Sequence, residues 1–95
     1  MRLLGIQHID KFIKKHPKTK SALLRWKKII ESGQFKNFVE LRKTLPTADQ
    51  VSNKTVFNVG GNKVRTITLI EYGIAQVIIT DVLTHAEYDR DKWKD

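Results

Sequence analysis

The chain has 95 residues, of which 40% are hydrophobic and 29% charged, and this composition predicts one globular domain over residues 1–95. It contains no cysteine, which excludes disulfides and zinc–thiolate sites, and no apolar run near the roughly 18 residues that a membrane span requires. The formal net charge of +8 predicts a polyanionic partner, most simply nucleic acid or an acidic protein, although a basic surface can also serve only to keep a protein in solution.

The N-terminal half predicts helices, because apolar residues recur at helical spacing. Residues 2–6 are a short apolar start, which is either an edge strand or the lead-in to the first helix; they do not form a signal peptide, so we expect a cytoplasmic protein. The first helix ends at His16, because Pro17 disfavours helical geometry in the residue before it. Pro17 opens a second helix, which Gly33 ends. The apolar stripes of these helices are formed by Ile9, Phe12, Ile13, Ala22, Leu23, Trp26, Ile29 and Ile30.

A third, shorter helix is predicted between Asn37 and Pro46. Asn37, followed three residues later by Glu40, has the logic of a capping box. The polar segment 47–54 contains turn-forming residues, and we interpret it as a loop.

From Thr55 onwards the pattern becomes that of strands. Segments 55–59, 64–71 and 75–83 are rich in Val, Ile and Thr and predict an antiparallel three-stranded meander. Apolar residues occur on both faces, so we expect a largely covered sheet. The predicted fold class is α+β, with N-terminal helices packed on a small antiparallel sheet and a short C-terminal helix.

The first turn of this meander brings two polar strand residues together. Gly60-Gly61 accepts the positive φ angles of a tight hairpin. If Val59 pairs with Val64, then Asn58 lies opposite Arg65 on one face of the sheet. An amide beside a guanidinium is one way to hold a phosphate.

A C-terminal helix is predicted to begin after Thr84, because Thr84 and Glu87 form a capping box. This helix places His85 and Tyr88 in its first turn. Trp93 is expected to pack back on the body of the protein.

The residue types favour RNA cleavage without a metal or cofactor. The three histidines are scattered, and the spacing of four between His85 and Asp89 is interpreted as incidental. Attack by a 2′-hydroxyl on the neighbouring phosphate needs a base, an acid and positive charge. His85 can transfer protons, Arg65 and Lys63 can stabilise the phosphate charge, and Tyr88 can stack on a base.

Each of these residues also has a purely structural interpretation. His85 can be an exposed imidazole at a helix start, and Arg65 can pair with a carboxylate such as Asp81. Tyr88 can belong to the core, Asn58 can bond the turn backbone, and Lys63 can be solvated.

Two segments resemble the HigB-type toxins of type II toxin–antitoxin systems, which belong to the RelE-like superfamily. They are Val56-Phe-Asn-Val-Gly-Gly-Asn-Lys-Val-Arg65 and Val82-Leu-Thr-His-Ala-Glu-Tyr-Asp-Arg-Asp-Lys-Trp93. The resemblance implies a small sheet packed on helices and an mRNA endonuclease that acts on translating ribosomes. It also implies a HigA-type helix-turn-helix antitoxin that neutralises the toxin and represses the shared operon, so that operator DNA is contacted only through the antitoxin.

The resemblance carries over to specific positions. It implies functional roles for Asn58, Asn62, Arg65, His85 and Tyr88, with Lys63, Asp89 and Lys92 as second choices. Our working hypothesis is that His85 transfers protons, Arg65 holds the phosphate and Tyr88 orients the base or the 2′-hydroxyl. The chain departs from RelE itself in showing no obvious basic cluster with a C-terminal Tyr.

A second class of function is a non-catalytic RNA- or ribosome-binding module, for which basic charge and aromatic residues suffice. The endonuclease requires Arg65 and His85 for toxicity, whereas the binding module tolerates either substitution with a graded loss of binding. A third hypothesis is that the basic surface is a docking site for an acidic protein. An antitoxin would be such a partner.

Overall fold

The fold is a mixed sheet with the three N-terminal α-helices packed on one of its faces. The structure, a computed structural model, describes residues 1–61, 63–90 and 93. The strands are β1 (Arg2–Leu4), β2 (Asp49–Val51), β3 (Lys54–Val59), β4 (Val64–Glu71) and β5 (Gln76–Thr84). The α-helices are α1 (Gln7–Lys15), α2 (Lys20–Ser32), α3 (Phe38–Thr44) and α4 (His85–Asp89), and there are 3-10 turns at Pro17–Thr19 and Tyr72–Ile74.

The α+β class is confirmed, but the sheet has five strands in the order β1-β5-β4-β3-β2 rather than the three predicted. The predicted meander is β3-β4-β5, and its pairs are antiparallel. β1 adds a parallel edge strand beside β5, which makes the sheet mixed. Residues 2–6 therefore supply an edge strand, one of the two structures that the sequence allows there.

The prediction that segment 47–54 is a loop was wrong for Asp49–Val51. These residues form β2, which pairs with β3 through Val51 and Lys54. Ser52 has a φ of +57° and turns the chain between them. The segment is polar because β2 is an outer, largely exposed strand. A polar segment with turn-forming residues is also typical of a loop, which explains the wrong prediction.

The predicted helices are present, with differences at their ends. α1 ends before His16, as Pro17 requires, but Pro17 opens a 3-10 turn and α2 begins only at Lys20. Asn37 Oδ1 accepts from Glu40 N at 2.9 Å, whereas the Glu40 carboxylate accepts from Lys36 N instead of closing the box on Asn37. No helix in the described part of the chain is long and apolar enough to span a membrane.

The main core lies between the helices and one face of the sheet. Trp26 of α2 meets Phe57 of β3 edge to face, with ring centroids 5.3 Å apart. The opposite face carries a smaller cluster, in which Val56 and Ile67 are covered by the 6%-exposed Trp93. Both faces are thus covered, as predicted, and Trp93 packs back on the body. The largest fully buried apolar side chains of the main core are Phe57, Ile9, Leu23, Ile30, Leu41, Ile79, Val64 and Val77.

Candidate active site

The β3–β4 hairpin sets two polar side chains side by side. Val59 pairs with Val64 and Asn58 with Arg65, which is the predicted register. Gly60 and Gly61 have φ angles of +65° and +60°, so the turn uses the backbone conformation that glycine adopts without steric cost. Because strand side chains alternate, Asn58 and Arg65 lie on the face that carries Val56 and Ile67, away from the main core.

Arg65 is a buried guanidinium at the centre of the sheet. The residue is only 7% exposed, and its Nη1 lies 3.4 Å from the carbonyl oxygen of Val64. Its guanidinium carbon lies 5.3 Å from the ring centre of Tyr88, within the range of a cation–π contact. Since β4 lies between β3 and β5, this cation is held on a rigid central strand.

α4 brings Tyr88 to Arg65. The capping box predicted at Thr84 is complete, with Glu87 N 3.2 Å from Thr84 Oγ1 and Thr84 N 2.9 Å from Glu87 Oε1. The hydrogen bond from the Thr84 backbone is the main cause that lowers the pKa of Glu87, and this carboxylate therefore stays ionised at neutral pH. The backbone N–H of His85 donates to the Lys63 carbonyl at 3.3 Å, which joins the start of α4 to the hairpin.

Trp93 supports Tyr88 from its other side. The two rings stack at 4.9 Å with an interplanar angle of 14°, and Trp93 Nε1 donates to the Tyr88 carbonyl at 2.9 Å. Lys54 Nζ in turn donates to the Trp93 carbonyl at 2.6 Å. The Tyr88 ring therefore contacts both a guanidinium and an indole.

Asn58, Arg65 and Tyr88 border a cleft of about 330 Å³. Its polar lining comes from Arg42, Asp49, Asn58, Arg65 and Tyr88, together with Thr47. The cleft thus combines two guanidinium groups, a side-chain amide and a phenol, which are groups that bind phosphates and stack on bases. We refer to it below as the Arg65 cleft.

Arg42 and Asp49 were missed by the sequence analysis. Arg42 lies on α3, its Nη2 donates to the Pro46 carbonyl at 3.2 Å, and its guanidinium carbon lies 6.0 Å from the Phe38 ring centre. Both contacts join Arg42 to residues four positions away in the sequence. The position of α3 near Arg65 results instead from tertiary packing, so no spacing in the sequence predicts that Arg42 lines the cleft.

His85 stands beside the cleft rather than in its wall. Its Nδ1 lies 2.9 Å from Asp89 Oδ2, and the two side chains are 47% and 60% exposed. The spacing that was interpreted as incidental therefore joins these two residues to each other. A carboxylate on Nδ1 favours the tautomer with its proton there and leaves Nε2 as an acceptor.

In residues 1–61, 63–90 and 93 no group of three or more His, Asp or Glu side chains could hold a metal ion.

The structure thus brings Asn58, Arg65 and Tyr88 together. Lys63 and His85 lie near them, and the backbone N–H of His85 donates to the carbonyl of Lys63. Lys63 is exposed. Asp81 does not line the Arg65 cleft but a different groove, between α1 and β5, and it forms no ion pair with Arg65. The predicted residues Asn62 and Lys92 lie outside the described residues.

Comparison with known proteins gives a consistent group of matches. A family model described as HigB_toxin, RelE-like toxic component of a toxin–antitoxin system, matches residues 19–91. The mRNA interferase toxin HigB of Escherichia coli K12 and the mRNA interferase HigB of Shigella flexneri are each 30% identical over 92 residues, which cover 94% of this chain and 88% of the relative. The mRNA interferase HigB of Escherichia coli O6:H1 is 26% identical over 93 residues, covering 95% of this chain and 90% of that protein.

Proposed function

This chain belongs to the HigB family, the RelE-like toxic components of toxin–antitoxin systems, and we propose that it is an mRNA interferase that cleaves translated mRNA on the ribosome. The observation that carries the proposal is the buried Arg65 guanidinium facing a cleft with Asn58, Arg42 and Tyr88. A fixed cation in a site of low exposure stabilises developing phosphate charge more strongly than a solvated one.

The proposed reaction needs no metal ion. The 2′-oxygen of one nucleotide loses its proton and attacks its 3′-phosphorus, the bond to the 5′-oxygen of the next nucleotide breaks, and that oxygen gains a proton, so that a cyclic phosphate and a free 5′-hydroxyl remain. Arg65 holds the phosphate and stabilises the charge of the phosphorane. Tyr88 stacks on a base or orients the 2′-hydroxyl, and Asn58 adds a hydrogen bond to the substrate.

His85 transfers protons in this proposal. Its Nε2 is the acceptor that the Nδ1–Asp89 contact leaves available for the 2′-hydroxyl proton. Because His85 lies at the start of α4, the RNA extends from the Arg65 cleft across the first turn of that helix. Lys63, Asn62 and Lys92 are the further residues that we propose to contact the RNA backbone.

The family description supports an antitoxin partner. We propose further that the toxin acts in the cytoplasm, and that a HigA-type helix-turn-helix antitoxin neutralises it and carries it to operator DNA. The alternative function, a non-catalytic RNA- or ribosome-binding module, is favoured by one observation: His85 is not among the described residues that line the Arg65 cleft. If no histidine reaches the RNA bound in the cleft, the cations would bind the RNA without the proton transfer that we assign to His85.

Induced expression in a bacterial host tests the function. We expect growth arrest together with new 5′ ends inside a translated reporter message, mapped by primer extension. The matched control is the same message without its start codon, which should stay intact if cleavage requires the ribosome. Arrest without new ends would favour the binding module, and the absence of arrest at good expression would contradict the toxin assignment.

Arg42→Ala is expected to lower the cleavage rate by about tenfold, because it removes an exposed guanidinium that adds positive charge to the cleft without being held as tightly as Arg65. The matched control is Lys43→Ala, which removes an exposed charge from the neighbouring position of α3 but does not line the cleft. The measurement is the initial rate of reporter cleavage in a reconstituted translation system at two salt concentrations. Equal rates for the two variants would remove Arg42 from the substrate site.

A further inference from the structure

A second groove, of about 470 Å³, lies between α1 and the edge of β5. None of the described residues that line it also lines the Arg65 cleft. The two cavities nevertheless share a helix, since Glu87 of α4 lines the groove and Tyr88 lines the cleft. The proposed reaction assigns no role to this groove.

One wall of the groove is an open strand edge. β1 pairs with β5 only over residues 76–78. Residues 79–84 of β5 pair with β4 on one side and, in the described part of the chain, with no strand on the other. An open edge offers backbone N–H and C=O groups that an extended peptide can use to add a strand.

The groove has apolar and basic lining residues. The buried Phe12 and the half-buried Val82 line it on the side of the main core, and the half-buried Leu83 lines it on the other face of the sheet. Lys11, Lys14 and Lys15 of α1 line it as exposed cations, and none of them forms an ion pair with a described residue. Because these lysines are three and four residues apart, they share one side of α1.

We propose that this groove binds an extended, acidic segment of the antitoxin, which adds to the free edge of β5 and places its carboxylates against the lysines of α1. The proposal rests on the proposed toxin function, since it names the partner of that system. An added strand presents alternate side chains to the two faces of the sheet, so its acidic side chains can meet the lysines of α1 on the Val82 side while the apolar ones between them lie beside Leu83.

RNA is the other polyanion that this protein meets, and the groove suits it less well. The carboxylates of Asp81 and Glu87 lie among the lining residues, and Glu87 is ionised. A phosphate backbone carries a charge at every nucleotide and would bring phosphates close to both carboxylates, whereas the apolar side chains of an alternating peptide can face Asp81. RNA in the groove would also lack the regularly spaced N–H and C=O groups with which a peptide strand can pair along the edge of β5.

The direct test maps two probes on the isotope-labelled chain by amide chemical shifts. One probe is a short blocked peptide of alternating Glu and Val, and the other is a single-stranded RNA oligonucleotide of the same formal charge. We expect the peptide to shift amides of α1 and of residues 79–84, and the RNA to shift amides around Arg65. RNA binding in the groove, or no shifts there with the peptide, would overturn the proposal.

Charge reversal supplies the matched variants. Lys11→Glu/Lys14→Glu should weaken binding of the peptide by about tenfold or more at low salt. Lys18→Glu/Lys20→Glu changes the net charge equally at exposed positions outside the groove and should bind as the unchanged chain does. Equal binding by both variants would contradict the proposal.

Cleavage measured without antitoxin separates this proposal from the function on which it rests. Lys11→Glu/Lys14→Glu is expected to cleave a translated message at the rate of the unchanged chain. Loss of cleavage in this folded variant would assign the groove to RNA and overturn the proposal. Failure of the unchanged chain to cleave would refute the enzyme assignment, whereas the peptide map would still decide whether the groove accepts an acidic strand.

Discussion

Arg65→Ala is expected to lower the rate of mRNA cleavage by about 10²–10³-fold, the effect typical of removing a preorganised group that stabilises transition-state charge. Arg65 is buried on a central strand, so it needs little reorganisation when the phosphorane forms. The stacking of Trp93 on Tyr88 fixes the opposite side of the cleft. The measurement is the single-turnover rate of cleavage on stalled ribosomes that carry a defined message.

Two variants make this prediction specific. Arg65→Lys keeps the positive charge but loses the planar fork of donors, and we expect it to recover only part of the rate. Because Arg65 is buried, each variant is also unfolded in urea, and rates are compared only for proteins that remain folded. A folded Arg65→Ala protein that cleaves at the original rate would contradict the role of this guanidinium.

His85→Ala is expected to lower the cleavage rate by about 10²–10⁴-fold, the range typical of losing a general acid or base. The exposed position of His85 means that the substitution should leave the free energy of unfolding nearly unchanged. Added imidazole should restore part of the lost rate, because it supplies the missing proton acceptor without altering the fold. The measurement is the cleavage rate of His85→Ala across a series of imidazole concentrations.

Asp89→Asn is the companion variant for His85. It removes the carboxylate 2.9 Å from Nδ1 but leaves the imidazole in place, so we expect a smaller loss than with His85→Ala. Imidazole should not restore its rate. Full cleavage by His85→Ala would show that another group transfers the protons. The contact between Asp89 and His85 would then have no role in catalysis.

The parts of the site that could be predicted are those fixed by local rules. Gly60-Gly61 sets the length of the turn, and strand alternation then places Asn58 opposite Arg65. The capping box at Thr84 likewise depends on residues three apart, and it formed as predicted. In both cases the controlling interaction spans only a few residues.

The parts that could not be predicted depend on distant packing. β1 reaches β5 from the far end of the chain, and α3 brings Arg42 to a cleft whose other side is Tyr88. β2 was mistaken for a loop because an exposed edge strand needs no alternation of apolar residues. The placement of His85 beside the cleft instead of in its wall also follows from the tertiary arrangement of α4.

The shortness of α4 has a thermodynamic consequence. Helices below about 12–15 residues are marginal on their own, and this one has 5, so it depends on its cap, on one backbone bond to Lys63 and on the contacts of Tyr88. Its amides should therefore exchange with solvent through local opening at a far smaller free energy than those of β4. In the proposed mechanism, the competent state is then the part of the folded ensemble in which α4 is formed and Tyr88 contacts Arg65. A ligand that binds α4 more tightly in one of these states than in the other changes their populations without having to enter the cleft.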